Sequence, residues 1–225
     1  MVLTGAERAR PVRPDVVDDP RVADTRAVLA WRFDGPRAAL SSAPVGGGSA
    51  AVDWLVTVGV TEAYGRTDLD QHVGEVARRL GLEGTGAGLL TAADVRQVVR
   101  AEDGGVVVDA TVGVTKPTWA ADADGTHGAR RDGRWEPGTI NLVVQVPVAL
   151  SHAAAVNAVI TATEAKAQAL FEAGVPGTGT ASDAVVVLWP PTLPVEPFAG
   201  PRSTWGARIG RAVHAAVQRG LEVHP

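Results

Sequence analysis

The chain of 225 residues contains no cysteine, and this absence excludes several kinds of chemistry. Without thiols there is no disulfide framework, no thiolate nucleophile and no metal site or cluster held by cysteine. Lysine is also scarce, because Lys116 and Lys166 are the only lysines among the 21 lysines and arginines. A catalytic lysine would therefore have to be one of these two side chains.

Long apolar runs are also missing, and none reaches the roughly 18 residues of a membrane-spanning helix. The N-terminal region is polar and lacks the apolar core of a signal peptide, so we expect a cytoplasmic protein without a membrane partner. Charge is nearly balanced, with 21 basic and 25 acidic residues and no basic tract, which argues against nucleic acid as a partner. The five histidines show no metal-ligand spacing, so we expect no metal site.

Apolar periodicity predicts both helices and strands. The predicted helices span 68–80, 151–173 and 205–219, and the predicted strands span 27–33, 52–60, 95–100, 106–114, 139–146 and 184–189. A turn at Asp34-Gly35 would lead into a short return strand at 37–42, and 139–189 is a candidate βαβ unit. We predict an α/β (mixed α+β) fold, with a mixed β-sheet or two stacked sheets covered by helices. It would form a single domain over 27–225 after an irregular N-terminal arm at 1–26.

The helix predicted at 151–173 carries two different faces. Its large apolar residues suggest the core-facing side, and they are Val156, Ile160, Ala167, Leu170 and Phe171. A polar stripe at three-to-four-residue spacing is formed by Asn157, Thr161, Glu164 and Gln168. From the pattern alone this stripe is either a solvated outer face or the lining of a cleft.

A turn rich in glycine and hydroxyl residues follows this helix, with the sequence Gly-Thr-Gly-Thr-Ala-Ser-Asp at 177–183. Its backbone N–H groups could hold an anion or an oxyanion, and Thr178, Thr180 and Ser182 are candidate nucleophiles beside Asp183. The alternative is a helix-to-strand connection that uses glycine dihedrals and hydroxyl caps. Both interpretations stay open at this point.

Several short motifs in a fixed order resemble one known family, the adenosylcobinamide amidohydrolase (CbiZ) family. They are Leu-Ser-Ser-Ala at 40–43 with Gly-Gly at 46–47, Gly-Leu-Leu-Thr-Ala at 88–92, Gly-Thr-Ile-Asn at 138–141, Thr-Ala-Thr-Glu-Ala-Lys at 161–166, Thr-Gly-Thr-Ala-Ser-Asp at 178–183, and Trp-Gly-Ala-Arg-Ile-Gly at 205–210. The resemblance covers roughly residues 27–220.

This resemblance implies an enzyme of cobalamin (vitamin B12) salvage. It would hydrolyse the amide between the corrin side chain and the aminopropanol of adenosylcobinamide, giving adenosylcobyric acid. The partner would be a corrinoid small molecule, no cofactor would be needed beyond the cobalt that this substrate carries, and a homo-oligomer is compatible with the sequence. The alternative is a non-catalytic corrinoid carrier or sensor.

For this reaction we hypothesise roles for particular residues, since an amide hydrolase needs an activated nucleophile, an oxyanion stabiliser and a proton for the leaving amine. Glu164 would be a general base acting on water or on a hydroxyl of the 178–182 turn, and Asn141 with turn N–H groups would polarise the carbonyl. Lys166 or Asp183 would orient the base or assist proton transfer. The predicted substrate-binding residues are Ser42, Thr139, Thr163, Thr178, Gly179, Thr180, Ser182 and Arg202.

Two further expectations follow from the resemblance. Arg202 stands where relatives often have a histidine, so a binding role is expected for it. An amino-terminal nucleophile released by cleavage before Thr180 is the alternative to an intact chain.

Overall fold

A computed structural model describes residues 9–18, 20–61, 63–123, 138–192 and 194–223. The strands are β1 (Asp15–Val17), β2 (Thr25–Ser41), β3 (Gly48–Val60), β4 (Gly86–Thr91), β5 (Val99–Asp103), β6 (Val106–Gly113), β7 (Thr139–Gln145) and β8 (Ala184–Trp189). The helices are α1 (Leu69–Arg79), α2 (His152–Glu172) and α3 (Thr204–Val223), with a 3-10 turn at Val95–Gln97. Within these ranges no helix is long and apolar enough to cross a membrane.

The three predicted helices and the βαβ unit are confirmed. Ser151 caps α2, because its hydroxyl oxygen accepts a hydrogen bond from the backbone N–H of Ala154 at 3.1 Å. Helix α2 connects β7 to β8, which are parallel neighbours. The predicted hairpin is present as β5 and β6, although its first strand begins only after the 3-10 turn, and β4 was not predicted as a strand.

The strands form one mixed sheet in the order β4-β3-β2-β8-β7-β6-β5, with β1 paired to β2. The β3–β4 and β7–β8 pairs are parallel, and the other neighbouring pairs are antiparallel. β2 has a double role, because its first half pairs with β1 and its second half pairs with β8.

The ladder between β2 and β3 is interrupted at one place, which we call the crease (residues 33–36). Arg32 pairs with Trp54, but the next pair joins Arg37 to Val52, so four residues of β2 stand against one of β3. The expected turn at Asp34-Gly35 is this irregularity. The predicted return strand at 37–42 is wrong, because residues 37–41 continue β2 against the same partner strand.

Beyond the crease, the two halves of the ladder face each other. Leu29 and Trp31 before the crease share one apolar cluster with Ala39 and Val52 after it, together with Val186 of β8. The single sheet is therefore folded into two stacked layers. Helix α1 covers the layer that contains the first half of β2. Helices α2 and α3 cover the layer that contains the second half of β2, which gives four layers in the order α-β-β-α. The predicted α/β (mixed α+β) fold, with a mixed β-sheet or two stacked sheets covered by helices, is confirmed.

Helix α2 contacts the sheet through small residues. Its buried face is mostly alanine and consists of Ala154, Ala155, Ala158, Thr161, Ala162, Ala165, Lys166, Ala169 and Leu170. The predicted apolar face is wrong for Val156, Ile160 and Phe171, which are 50%, 49% and 75% exposed.

The segment predicted as an irregular arm is partly ordered into the sheet. Asp15–Val17 forms β1 against β2, and β2 itself begins at Thr25. Upstream, the backbone of Val12 exchanges two 2.8 Å hydrogen bonds with the side-chain amide of Gln145. The arm is therefore tied to β7 as well as to β2.

Candidate functional site

A cavity of about 460 Å³ lies between the two β-layers, where strands from both layers end or begin. Its lining residues are Ser42, Pro44, Val60, Thr61, Tyr64, Leu69, Leu90, Thr91, Ala92, Thr139, Asn141, Ser182, Asp183 and Ala184. The volume falls within the usual range of small-molecule sites. Apolar walls with a few polar groups are also typical of such sites, so this cavity is the candidate active site.

Strand β7 supplies two of the polar groups through simple alternation. Successive side chains of a strand point to opposite faces, so Thr139 and Asn141 share one face and Ile140 lies on the other. Ile140 packs into the core under α2 and α3, whereas Thr139 and Asn141 line the cavity. Both of these polar side chains are buried, with exposures of 4% and 2%.

Two hydroxyl groups meet at the cavity wall. The Thr139 and Ser182 side-chain oxygens are 2.6 Å apart, and Ser182 also donates to the carbonyl of Gly138 at 3.1 Å. Ser182 itself is exposed, whereas Thr139 is buried. This pair therefore presents one accessible hydroxyl that a buried hydroxyl holds in place.

Asp183 is the central hydrogen-bond acceptor of the neighbouring turn. Its carboxylate accepts from Ile140 N at 2.8 Å, from Thr180 N at 3.1 Å and from the Thr180 hydroxyl at 2.5 Å. It also forms an ion pair with Lys166, and both side chains are nearly buried. A buried charge requires such a partner, so the pair fixes the start of β8 relative to α2.

The ion pair between Lys166 and Asp183 explains why a glycine occupies position 179. A Cβ atom there would lie 2.4 Å from the Lys166 ammonium and 2.3 Å from the Asp183 carboxylate. Only glycine leaves room for the two charged groups to meet. The predicted binding residue therefore has a packing role in this structure.

The nitrogen and the oxygen of the Asn141 side-chain amide differ in their hydrogen bonding. Its side-chain N–H donates to the carbonyl of Leu90 at 3.1 Å, which ties β7 to the end of β4. Its side-chain oxygen is buried and has no hydrogen-bond partner among the residues described. Because a buried unpaired acceptor is costly, this oxygen is a ready partner for a donor group in the cavity.

Two other predicted residues hold chain segments together near the cavity. The Ser42 hydroxyl accepts from Val185 N at 3.0 Å and so secures the end of β2 to β8. The Thr178 hydroxyl accepts from Ala120 N at 3.1 Å, and its backbone N–H donates to Thr118 O at 3.0 Å. Thr178 thus attaches the segment after β6 to the 177–183 turn.

Seven of the predicted residues do not line this cavity, and three of them also lie outside the 177–183 turn and its ion pair with Lys166. Glu164 lines a separate groove between α2 and α3, together with Arg211 and His214. The Thr163 hydroxyl donates to the carbonyl of Val159 one turn earlier in α2. Arg202 is exposed in the loop before α3. The polar stripe of α2 therefore lines a groove, but a different one from the candidate active site.

No motif in the sequence pointed to Tyr64 or His72 as site residues. Tyr64 lines the cavity, and its hydroxyl is 2.7 Å from Nδ1 of the fully buried His72. Burial lowers the pKa of His72, with a further lowering by Arg66, and burial also raises the pKa of Tyr64. Single histidines and tyrosines at this spacing carry no motif, so only the tertiary contact reveals the pair.

The groups around the cavity can act on an amide. They comprise hydroxyls, a buried ion pair and an unpaired amide oxygen. In the described parts of the chain, no cluster of three or more histidines and carboxylates could hold a metal ion. Accessible hydroxyls and fixed hydrogen-bonding groups beside an apolar cavity are typical of hydrolases. Fold and site together thus define the class as an α-β-β-α protein with a hydrolase-like site.

Comparison with known protein families identifies the family within this class. The sequence model of the adenosylcobinamide amidohydrolase family matches residues 13–224. The chain belongs to this family.

Two curated relatives carry the same name. The adenosylcobinamide amidohydrolase of Methanosarcina mazei is 30% identical over 191 residues, covering 81% of this chain and 89% of that protein. The adenosylcobinamide amidohydrolase of Halobacterium salinarum is 40% identical over 136 residues, covering 60% of this chain and 58% of that protein.

Two solved structures show a distant similarity to this chain. The PH0078 protein from Pyrococcus horikoshii has a TM-score of 0.46 at 10% identity, covering 96% of this chain and 82% of its own. An L-aminopeptidase D-Ala-esterase/amidase from Ochrobactrum anthropi has a TM-score of 0.41 at 15% identity, covering 95% and 83%. Similarities at this level support no argument about this chain.

Proposed function

We propose that this chain hydrolyses the amide between the corrin side chain and the aminopropanol of adenosylcobinamide, and that the cavity between the β-layers is where it does so. The strongest support for this location of the active site is that predicted site residues from separate parts of the sequence meet there. Ser42, Thr139, Asn141, Ser182 and Asp183 come from separate segments of the sequence, and all of them line this cavity. Membership of the amidohydrolase family supports the reaction.

The polar groups of the cavity complement an amide. An amide presents a carbonyl oxygen that accepts hydrogen bonds and an N–H that donates one. The Ser182 hydroxyl can turn its hydrogen from the carbonyl of Gly138 to the carbonyl oxygen of the amide, while Thr139 donates to the Ser182 oxygen and holds it in place. There the Ser182 hydroxyl would stabilise the negative charge of a tetrahedral intermediate. The unpaired oxygen of Asn141 can accept from the N–H. We therefore place the scissile amide between these two groups.

The reaction adds the oxygen of water to the carbonyl carbon and breaks the carbon–nitrogen bond. The nitrogen takes a proton, and the products are the carboxylate of adenosylcobyric acid and free aminopropanol. We assign Asp183 and Lys166 the task of holding Ser182 in position, because their ion pair fixes the turn that carries it. Glu164 lies in the other groove, so this arrangement does not use it.

The remaining expectations belong to the same proposal. A corrinoid is the substrate, and no cofactor is required beyond the cobalt bound within it. A cytoplasmic location and a homo-oligomer remain predictions. The carrier alternative differs in one measurable respect, because a carrier would bind the corrinoid tightly without forming a new carboxylate.

The test is to incubate the purified protein with adenosylcobinamide and to look for adenosylcobyric acid by chromatography and mass analysis. We expect Ser182→Ala to lower turnover about 10²–10³-fold, the usual effect of losing a group that stabilises the transition state. Glu164→Gln is the matched control on the neighbouring groove, and its turnover should stay within a few-fold of wild type. Loss of turnover in Glu164→Gln with normal turnover in Ser182→Ala would place the reaction in the other groove.

A further inference from the structure

The proposed reaction leaves one hydrogen-bonded pair at the cavity wall without a role. The Tyr64 hydroxyl is 2.7 Å from His72 Nδ1, and the two rings stack with centroids 5.4 Å apart at 26°. Tyr64 lines the cavity, whereas His72 is 0% exposed behind it. A buried histidine with both ring nitrogens bonded is a rigid support for the side chain in front of it.

A third residue, Thr25, completes this chain of hydrogen bonds. His72 Nε2 is 2.8 Å from the hydroxyl of Thr25, and the carbonyl of Ala23 is 3.4 Å from the same hydroxyl. In the tautomer that we assign, the hydrogen of Thr25 is directed at Ala23, and its oxygen accepts from His72 Nε2–H. His72 Nδ1 then carries a lone pair and accepts the hydrogen of Tyr64. The Tyr64 oxygen is left with lone pairs only.

This direction requires a neutral imidazole, and the surroundings of His72 favour that state. Burial lowers the pKa of the ring most, and the guanidinium of Arg66 lowers it further. The carboxylates of Asp24, Asp68 and Glu75 oppose these two effects more weakly. A neutral His72 can accept from Tyr64, whereas a protonated ring would have to donate to it.

We propose that Tyr64 contacts the substrate as a hydrogen-bond acceptor for the hydroxyl of the aminopropanol arm, and that His72 is the positioning residue that keeps Tyr64 in this role. The inference rests on the proposed function, because it takes the aminopropanol arm as the part of the substrate inside the cavity. The arm carries one free hydroxyl, and a wall that presents an acceptor selects for it. Recognition of this hydroxyl belongs to binding and not to the bond-breaking step.

The decisive test compares two substrates and two enzymes. The substrates are adenosylcobinamide and its analogue with propylamine in place of aminopropanol, and the enzymes are wild type and Tyr64→Phe. We expect wild type to show a KM about tenfold higher for the analogue, the scale of one hydrogen bond. Tyr64→Phe should have the higher KM for both substrates with kcat nearly unchanged. Equal discrimination by the two enzymes would overturn the proposal.

Variants of His72 separate positioning from simple packing. His72→Leu should repeat the loss of discrimination seen in Tyr64→Phe, whereas His72→Asn should restore part of it, because an asparagine oxygen can accept near the position of Nδ1. If the leucine variant does not fold, Tyr64→Phe still decides, since that change removes only a hydroxyl.

A second readout does not depend on turnover. Tyr64 is the only tyrosine of the chain, so selective isotope labelling gives one tyrosine signal by NMR. Adenosylcobinamide should shift this signal, and the propylamine analogue should shift it less. If wild type forms no product but the signal still responds in this way, the proposed function fails and the contact stands. Normal turnover with identical shifts from both compounds would contradict the contact alone.

Discussion

At the scale of single residues, His72 shows how burial changes the behaviour of an ordinary side chain. In the sequence it is one of five histidines, on a helix with charged neighbours. In the structure it is fully buried and bonded to Tyr64 and Thr25. Burial disfavours the charged imidazolium and so lowers the pKa of His72 below its ordinary value of 6.5.

This lowered pKa predicts an effect of pH on stability. In the unfolded chain His72 takes up a proton near its ordinary pKa of 6.5, whereas the folded state resists protonation until the pH is lower. The free energy of unfolding should therefore be highest above pH 6.5 and fall below it, by at most about 1.4 kcal/mol per pH unit. Urea unfolding between pH 8 and about pH 5 measures the slope.

Two controls assign that slope to His72. His72→Phe should remove it, whatever its own stability, while His214→Gln on the outer groove should keep it. The charged groups facing His72 include Arg66, Glu75 and Asp68, and the pKa of Asp68 is lowered to about 2. The pKa of Glu75 is also lowered, by hydrogen bonds from Gln71 and Arg66, so both carboxylates take up protons at lower pH than His72 does in the unfolded chain. An unchanged slope in His72→Phe would assign the effect to another group.

At the scale of elements, α2 shows what a periodic pattern can and cannot predict. Its existence, its limits and the Ser151 cap followed from apolar spacing and capping chemistry. Its buried face did not, because the prediction followed the large apolar residues. The sheet instead packs against alanines such as Ala158, which let the helix approach closely.

This packing predicts a contrast between two alanines of α2. Ala158 is 0% exposed against the sheet, whereas Ala153 lies exposed one turn earlier. Ala158→Leu should lower the free energy of unfolding by about 1–3 kcal/mol through overpacking. Ala153→Leu should stay within about 0.5 kcal/mol of wild type. Urea unfolding of both variants checks the contrast, and similar values would mean that the buried face has been assigned to the wrong residues.

The unpredicted strand β4 has a physical reason of the same kind. Glycine is depleted in strands, yet β4 contains Gly86 and Gly88. A Cβ atom at Gly86 would lie 2.0 Å from the ring of Trp54, and one at Gly88 would lie 2.6 Å from Val73. Glycine is required at these two positions because side chains that are distant in sequence occupy the space of a Cβ atom. Strand propensity, which depends on local sequence, does not include such contacts.

At the scale of the whole molecule, the class of fold was predictable, but its crease was not. The βαβ unit and the hairpin follow from local patterns, whereas the pairing of β2 with β8 joins segments that are distant in sequence. The candidate site shows the same division. Motifs indicated Asn141, Ser182 and Asp183, while Tyr64 and the separate location of Glu164 depend on how the layers stack.

A strand shared by both layers predicts cooperative unfolding. Because β2 contributes to the ladders of both layers, the loss of one layer removes ladder hydrogen bonds from the other. Tryptophan fluorescence reports two different parts of the core, with Trp31 between the two β-layers and Trp205 in α3, where it packs in the core beneath α2 and α3. Its urea transition should coincide with that of the circular dichroism signal. Two separated transitions would show that the layers unfold independently.

The crease also divides the β2–β3 ladder into two arms that are joined at the bend at residues 33–36. The far ends, or tips, of the two arms lead into Ser42 and Thr61, and both of these residues line the cavity. The longer arm, residues 25–32 of β2, is about 25 Å long, so a rotation of about 5° at the bend moves its tip by roughly 2 Å. Gly35 and Pro36 are exposed at that bend. Substitutions there would therefore adjust the width of the entrance, and with it the choice of substrate, without touching any molecule inside.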